Sequence, residues 1–269
     1  MNTPPPSYPV SYLDVYKSHT GFVSDKWINY FFIYDSLFSR FLRHKKPITL
    51  MEIGVQNGGS LEIWKKYLPE NSLIYGVDIN KLCCKLDFSE GIKFFCGNAA
   101  DSDFMNETFN NISFDVILDD GSHNCIEVTK TFVNMFSKIR PGGIYIVEDL
   151  HCSYWAEFDG GFRRKNSSIE FFKNLIDGLN FDAIRIPKSC RIKTKKEIEF
   201  IRNYRKEIGK ITFFDGICAI DKYFHPKNDQ FVPVYTGSIE DVAGTSPYRK
   251  KLEDHVNLVE NTMKLYTGD

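Results

Sequence analysis

Apolar residues change period along this chain of 269 residues. Trp27, Tyr30, Phe31, Tyr34, Leu37, Phe38 and Phe41 recur at steps of three and four, which predicts an amphipathic helix from about Asp25 to Arg43. Pro47 is expected to end it. Short apolar runs follow at Ile48–Val55, Leu73–Ile79, Ile92–Cys96 and Phe114–Leu118, and after the turn Pro141-Gly142-Gly143 at Ile144–Val147. Helical spacing separates several of them, at Leu61–Tyr67 and over 123–139. Short apolar strands alternating with helices predict parallel strands joined by crossover helices, an α/β doubly wound sheet. Beyond residue 150 the pattern predicts a helix at Ser167–Leu179, a strand at Ala183–Pro187, a charged helix at Lys195–Ile208 and a last strand over Ile211–Ile220. A polar stretch over 239–265 reads as a peripheral helix. The expected divisions are an N-terminal arm and helical cap at 1–45, the α/β domain at 46–225 and a peripheral helical tail at 226–269.

Composition narrows the field. Net charge is -1, so the broad basic field of a nucleic-acid binder is missing and no nucleic-acid partner is expected. Lys193-Thr194-Lys195-Lys196 runs into Glu197 and Glu199 and reads as a solvated helix face. The seven cysteines are odd in number and form no C-x-x-C, which argues against a zinc ribbon or a redox dithiol. Cys96, Cys125 and Cys218 sit in apolar runs as expected core residues, and free thiols suit a cytoplasmic location. No stretch of about 18 apolar residues occurs, so no membrane insertion is expected. A homo-oligomer is one arrangement for the tail.

Candidate chemistry collects where strands end, the usual ligand site of such sheets. After the first strand comes Met51-Glu52-Ile53-Gly54-Val55-Gln56-Asn57-Gly58-Gly59-Ser60, a glycine turn against which a ligand can lie. It is not the dinucleotide fingerprint, since three residues separate Gly54 from Gly58. Asp78 ends the second strand and can accept from both ribose hydroxyls, a role that serves NAD and S-adenosylmethionine alike. Asp101 follows the third strand as an acceptor for an adenine amino group or as a helix N-cap. Asp119, Asp120, Glu148 and Asp149 end the fourth and fifth strands. Such crowded carboxylates repel one another, and a divalent cation with a taste for oxygen, Mg2+ or Mn2+, resolves the repulsion. His123, three residues past Asp120, is the candidate general base.

Taken together, Glu52-Ile53-Gly54-Val55 with Gly58-Gly59-Ser60-Leu61, Asp119-Asp120-Gly121-Ser122-His123, and Gly142-Gly143-Ile144-Tyr145-Ile146-Val147-Glu148-Asp149 resemble class I S-adenosylmethionine-dependent methyltransferases. The likeness is to the metal-dependent sugar O-methyltransferases of macrolide tailoring, mycinamicin and macrocin type, and runs from about Thr20 to Lys222. It implies a Rossmann-like, mostly parallel sheet with a C-terminal antiparallel hairpin, around Phe213-Phe214-Asp215-Gly216-Ile217, and makes 46–225 the methyltransferase domain. It implies that Glu52, Gly54, Gly58, Ser60, Asp78, Asp101 and Asp119 hold the cofactor, helped by Ser24, Lys26 and Tyr30 of an N-terminal segment. Ile28 stands where these proteins often carry His. Asp120, Glu148 and Asp149 become metal ligands, His123 with Asp120 the catalytic pair, and Tyr154 and Trp155 an aromatic surface for a sugar. The implied reaction is O-methylation of a sugar or glycan precursor, in a surface polysaccharide or a glycosylated metabolite. A phosphorylated capsule acceptor and an NAD-dependent oxidation are the alternatives.

Overall fold

The computed structural model describes residues 10–181, 202–225, 233–238, 242 and 250–267. The strands expected at Ile48–Val55, Leu73–Ile79, Ile92–Cys96 and Phe114–Leu118 appear as β1 (Thr49–Ile53), β2 (Leu73–Asp78), β3 (Ile92–Cys96) and β4 (Phe114–Asp119). They are followed by β5 (Ile139–Val147), β6 (Ile208–Phe213) and β7 (Cys218–Lys222). The sheet order is β3-β2-β1-β4-β5-β7-β6, parallel through β5, with an antiparallel hairpin at its C-terminal end. The helices are α1 (Tyr12–Lys17), α2 (Tyr30–Arg43), α3 (Gly59–Tyr67), α4 (Ser102–Phe109), α5 (Cys125–Met135), α6 (Ser168–Leu179) and α7 (Val256–Thr267).

Alternation along the strands serves two cores, because successive side chains of a strand point to opposite faces. Leu50, Val116, Leu118, Ile144 and Ile146 join one apolar cluster with α1, α2 and α3. At its centre Trp64 packs on Tyr12 at 4.6 Å, on Tyr34 at 5.1 Å and, stacked, on Phe38 at 4.7 Å between ring centres. Opposite-parity residues meet α4 and α5 across aromatic pairs, Tyr75–Phe109 at 6.4 Å and Phe132–Tyr145 at 5.1 Å. Covering both faces is why β1, β4 and β5 read as nearly continuous apolar runs.

The chain divides into two compact units: Met1–Arg140 with Ile144–Phe171 and Thr212–Ala219, and Pro141–Gly143 with Phe172–Ile211 and Ile220–Asp269. Within the second, Lys222 pairs with Glu207 at 2.9 Å and Lys210 with Asp221 at 3.2 Å. Two-residue strands β8 (Val234–Tyr235) and β9 (Lys250–Lys251) pair in parallel. No helix among the described residues is long and apolar enough to cross a membrane.

Several expected boundaries move. The first long helix begins at Tyr30, not Asp25; residues 23–27 have no regular structure, and Trp27 is exposed although it matches the helical period. The helix ends at Arg43 because Lys45 turns left-handed (φ 48°), before Pro47 is reached. Pro141-Gly142-Gly143 is no turn: it lies inside β5 as an irregularity, the register jumping from Phe114↔Ile139 to Val116↔Ile144. Gly142 sits there at φ 78°, its N–H donating to the Tyr223 carbonyl, and a Cβ would lie 2.1 Å from the Phe224 ring. The single strand expected over Ile211–Ile220 is broken at 214–217, where Phe214 N–H donates to the Ile217 carbonyl, so the hairpin reading holds. Ile208 opens β6 rather than closing a helix. Cys96 is only half-buried, whereas Cys125 and Cys218 are buried; all three are free thiols. Ala183–Pro187, residues 195–201 of the helix expected over Lys195–Ile208 and the N-terminal arm over 1–9 lie outside the described residues, as does much of 239–265; from 250 on, that stretch carries α7.

Truncating Trp64 to Ala removes the ring shared by α1, α2 and α3. Loss of a fully buried aromatic costs about 3–5 kcal/mol, and urea unfolding of Trp64→Ala should show a midpoint lowered accordingly.

Candidate functional site

The parallel register brings the acids together. Ile53 pairs with Val77 and with Asp119, and Asp119 with Val147, so β1, β2, β4 and β5 end level. Asp120 N–H donates to the Ile53 carbonyl at 2.9 Å and Glu148 N–H to the Asp119 carbonyl at 2.9 Å. Period two then puts Glu52, Asp120 and Glu148 on the α1–α3 side, in step with Leu50, Leu118 and Ile146. Asp119 faces the other way and accepts from the Tyr145 hydroxyl at 3.0 Å. Asp149 follows at φ 53° and joins the first group through α2, accepting from the Tyr30 hydroxyl at 2.7 Å and the Trp27 indole at 3.0 Å. Gly54 (φ 91°) allows the close approach of this turn to β4, since a Cβ there would lie 2.0 Å from the Asp120 carbonyl oxygen.

Lys26 reaches into this cluster from the irregular segment before α2. Its Nζ donates to Glu148 Oε2 at 2.8 Å and to Asp120 Oδ2, and lies 3.9 Å from Glu52 Oε1. The lysine side chain is 4% exposed. Glu148 is buried, and its other oxygen accepts from the Tyr34 hydroxyl. Both partners stabilise the charged form of Glu148, the Lys26 ammonium more strongly by its charge and the Tyr34 phenol by a charge-assisted hydrogen bond. Burial still pushes Glu148 up to about 8, with Lys26 pulling it down. Burial pushes Glu52 to about 7 against the pull of Lys26, and Asp119 to about 7 against the Tyr145 hydrogen bond. Burial works against the Lys26 charge too, but Glu148 and the neighbouring acids outweigh it and hold that ammonium above its ordinary pKa.

A cleft of about 510 Å3 opens over these groups. Ser24, Lys26, Tyr30, Gly54, Ser60, Asp78, Asp120, His123, Glu148 and Asp149 all line it. Asp78 braces the glycine turn, accepting from the Val55 and Gln56 N–H groups at 2.8 and 3.0 Å. It also lines an adjoining cavity of about 170 Å3 with Ile79, Asn98, Ala99 and Asp119. Glu52 is fully buried beneath the cleft, accepting from Ser60 at 2.8 Å. Gly58 serves as the left-handed N-cap of α3.

Three expectations meet a different geometry. Asp101 caps α4, accepting from Asp103 N–H at 2.9 Å, and lines neither cavity; of its two sequence readings the cap is the observed one. Asp120, His123 and Asp149 offer ligand atoms within 4.8 Å of one another, whereas Glu148 is turned to Lys26 and Tyr34. The two carboxylates and the imidazole fit a divalent cation. Tyr154 and Trp155 are nearly half exposed and line neither cavity; Trp155 instead packs edge-on to His151 at 5.1 Å, which meets Trp27 at 5.2 Å. Trp27, His151 and Tyr34 were not foreseen as site residues. Tyr34 was legible, standing one helical turn after Tyr30.

The strand order and the acids at the strand ends are those of a Rossmann-like methyltransferase fold. Comparison with known proteins narrows this to likeness with sugar O-methyltransferases. The chain is 34% identical over 168 residues to 8-demethyl-8-alpha-L-rhamnosyl tetracenomycin-C 2'-O-methyltransferase of Streptomyces olivaceus, covering 58% of this chain and 43% of that one. It is 32% identical over 151 residues to mycinamicin VI 2''-O-methyltransferase of Micromonospora griseorubida, covering 52% and 37%. Among solved structures, the MycE methyltransferase of the mycinamycin biosynthetic pathway, in complex with Mg and SAH, superposes with a TM-score of 0.59 at 26% identity over 71% of this chain and 48% of that one. The chain thus spans about half the length, or less, of the relatives it matches. No protein-family model matches it.

Asp119 and Glu52 generate a pH prediction. A buried acid whose pKa is raised binds its proton more tightly folded than unfolded. Stability therefore falls as pH rises from about 4, the ordinary carboxylate value, to about 7, and levels off above. Urea midpoints should decline over that window, and Asp119→Asn, which keeps an acceptor for Tyr145, should flatten the decline.

Proposed function

We propose that this chain is an S-adenosylmethionine-dependent, divalent-metal-assisted O-methyltransferase acting on a sugar hydroxyl. The observation that carries this reading is the convergence of Asp120, His123 and Asp149, ligand atoms within 4.8 Å, on a cleft that also holds the glycine turn and Asp78. Sequence likeness to named sugar O-methyltransferases supports the same chemistry.

In this reading Asp78 accepts from the ribose hydroxyls, Asp119 and Asn98 flank the adenine cavity, and the Glu52–Ser60 pair lies under the amino-acid end. Asp120 and Asp149, with Glu148, hold the metal. When bound, the cofactor supplies an activated methyl group and the metal lowers the pKa of a hydroxyl beside it. The protein's own task is to align an acceptor oxygen and take its proton. His123 is the base: it lines the cleft, with its Nε2 3.7 Å from Asp149 Oδ2. Trp27, the half-buried His151 and Trp155 form a run of ring contacts, and with the exposed Tyr154 they offer amphipathic rings suited to the C–H face of a sugar. The relatives' names carry rhamnosyl and olivosyl groups, which favours a deoxysugar on a glycosylated metabolite; a surface-polysaccharide precursor is the second setting.

Labelled methyl transfer from S-adenosylmethionine to rhamnosylated aromatic glycosides and to nucleotide sugars tests both. Transfer should land on a sugar oxygen, stop with EDTA and return with Mg2+. An undiminished rate in EDTA removes the metal from the reading. His123→Ala should lower kcat by about a hundred- to ten-thousandfold, the usual contribution of a positioned base, with the cofactor Kd unchanged; a variant with full kcat removes the base.

A further inference from the structure

The metal ligands expected from sequence include Glu148, yet both of its oxygens are engaged, Oε1 by Tyr34 and Oε2 by Lys26. The same ammonium holds Asp120 Oδ2. An ammonium and a divalent cation cannot sit on the same carboxylate oxygens together: they would compete for the same lone pairs and repel each other. Lys26 is therefore placed where a cation belongs, among Glu52, Asp120 and Glu148, and its side chain is all but sealed from water.

We propose that Lys26 is a built-in competitor of the divalent metal, which swings out of the acid cluster when the metal binds and so frees Glu148 to join Asp120 and Asp149 as a ligand. The inference rests on the metal reading above but not on the identity of the acceptor. Two further observations support it. Lys26 extends from residues 23–27, which belong to no helix or strand, so its flexible four-carbon stem leaves without unwinding an element. Trp27 beside it donates to Asp149 Oδ1, so the same segment masks a second ligand. Without the exchange, the group within ligand distance is Asp120, His123 and Asp149, and a ligated His123 cannot act as a base. The exchange thus decides whether the imidazole is free. By linkage, the factor by which Lys26 weakens metal binding is the factor by which metal expels Lys26.

Amine acylation followed by mass spectrometry reads the position of Lys26 in the full chain, without cofactor or acceptor. Labelling of Lys26 should rise at least tenfold at saturating Mg2+, while Lys65, bonded to the Ser72 carbonyl, stays unchanged. Mn2+ binding, counted from the electron paramagnetic resonance of the free ion, should be at least tenfold tighter in Lys26→Met than in the wild type or Lys26→Arg. Lys26 remaining protected at saturating Mg2+ overturns the proposal even if Lys26→Met binds tightly, since charge removal alone would do that. Equal or weaker Mn2+ binding by a folded Lys26→Met, checked by circular dichroism, overturns it as well. If Lys26→Met does not fold, the wild-type labelling decides. Mn2+ failing to bind any of the proteins removes the metal reading itself, and the inference with it.

Discussion

Everything at the open end of this sheet follows from packing like charges into a dry space. Level strand ends bring five carboxylates, Glu52, Asp119, Asp120, Glu148 and Asp149, within one small region, three of them buried to 3% exposure or less. Left alone they would repel one another and shed their charge. The fold answers with one ammonium from outside the sheet and three phenol hydroxyls, and each neutraliser reports where charge is tolerated. Lys26 and Tyr34 serve the inner face, Tyr145 the outer, and Tyr30 the acid nearest the cleft.

Those groups hold their positions because hydrophobic packing holds them. Tyr30 and Tyr34 stand on α2, and α2 is fixed to the sheet through the Trp64, Tyr12 and Phe38 rings of the aromatic cluster. The cluster is apolar apart from its tyrosine hydroxyls and one indole N–H, and the Tyr12 hydroxyl and the Trp64 indole nitrogen are themselves buried. Non-directional burial thus supplies the rigidity, and a few directional bonds convert it into a defined arrangement of charge.

Much of this was legible in the chain. The five parallel strands announced themselves because both faces are covered, leaving apolar runs bounded by turns. The acids were legible as strand-end residues, and alternation along a strand predicts which of them share a face. Other features depend on distance in space rather than in sequence. Lys26 meets Glu148 across 122 positions, and no local pattern marks a lysine that will be buried. Trp27 fell on the helical period by coincidence, and its role beside Asp149 depends on the segment being irregular. Pro141-Gly142-Gly143 carried the composition of a turn, yet tertiary pairing with Tyr223 kept it within a strand. Asp101 illustrates a third case: of its two compatible readings, the cap follows from local spacing and is seen in its bonds to Asp103 and Phe104 N–H, while an adenine contact depends on a ligand and not on the local pattern.

The paired tyrosines of α2 have a consequence for how this protein can vary. Tyr30 and Tyr34 hold consecutive acids, Asp149 and Glu148, from consecutive turns of one helix. A substitution that shifts the helix therefore disturbs both acids at once, and a change at either acid alters what the helix must offer. The four positions are therefore coupled, each setting what the other three must supply, whereas Ile28 beside them, 90% open to solvent, has a side chain that can make no hydrogen bond to either acid.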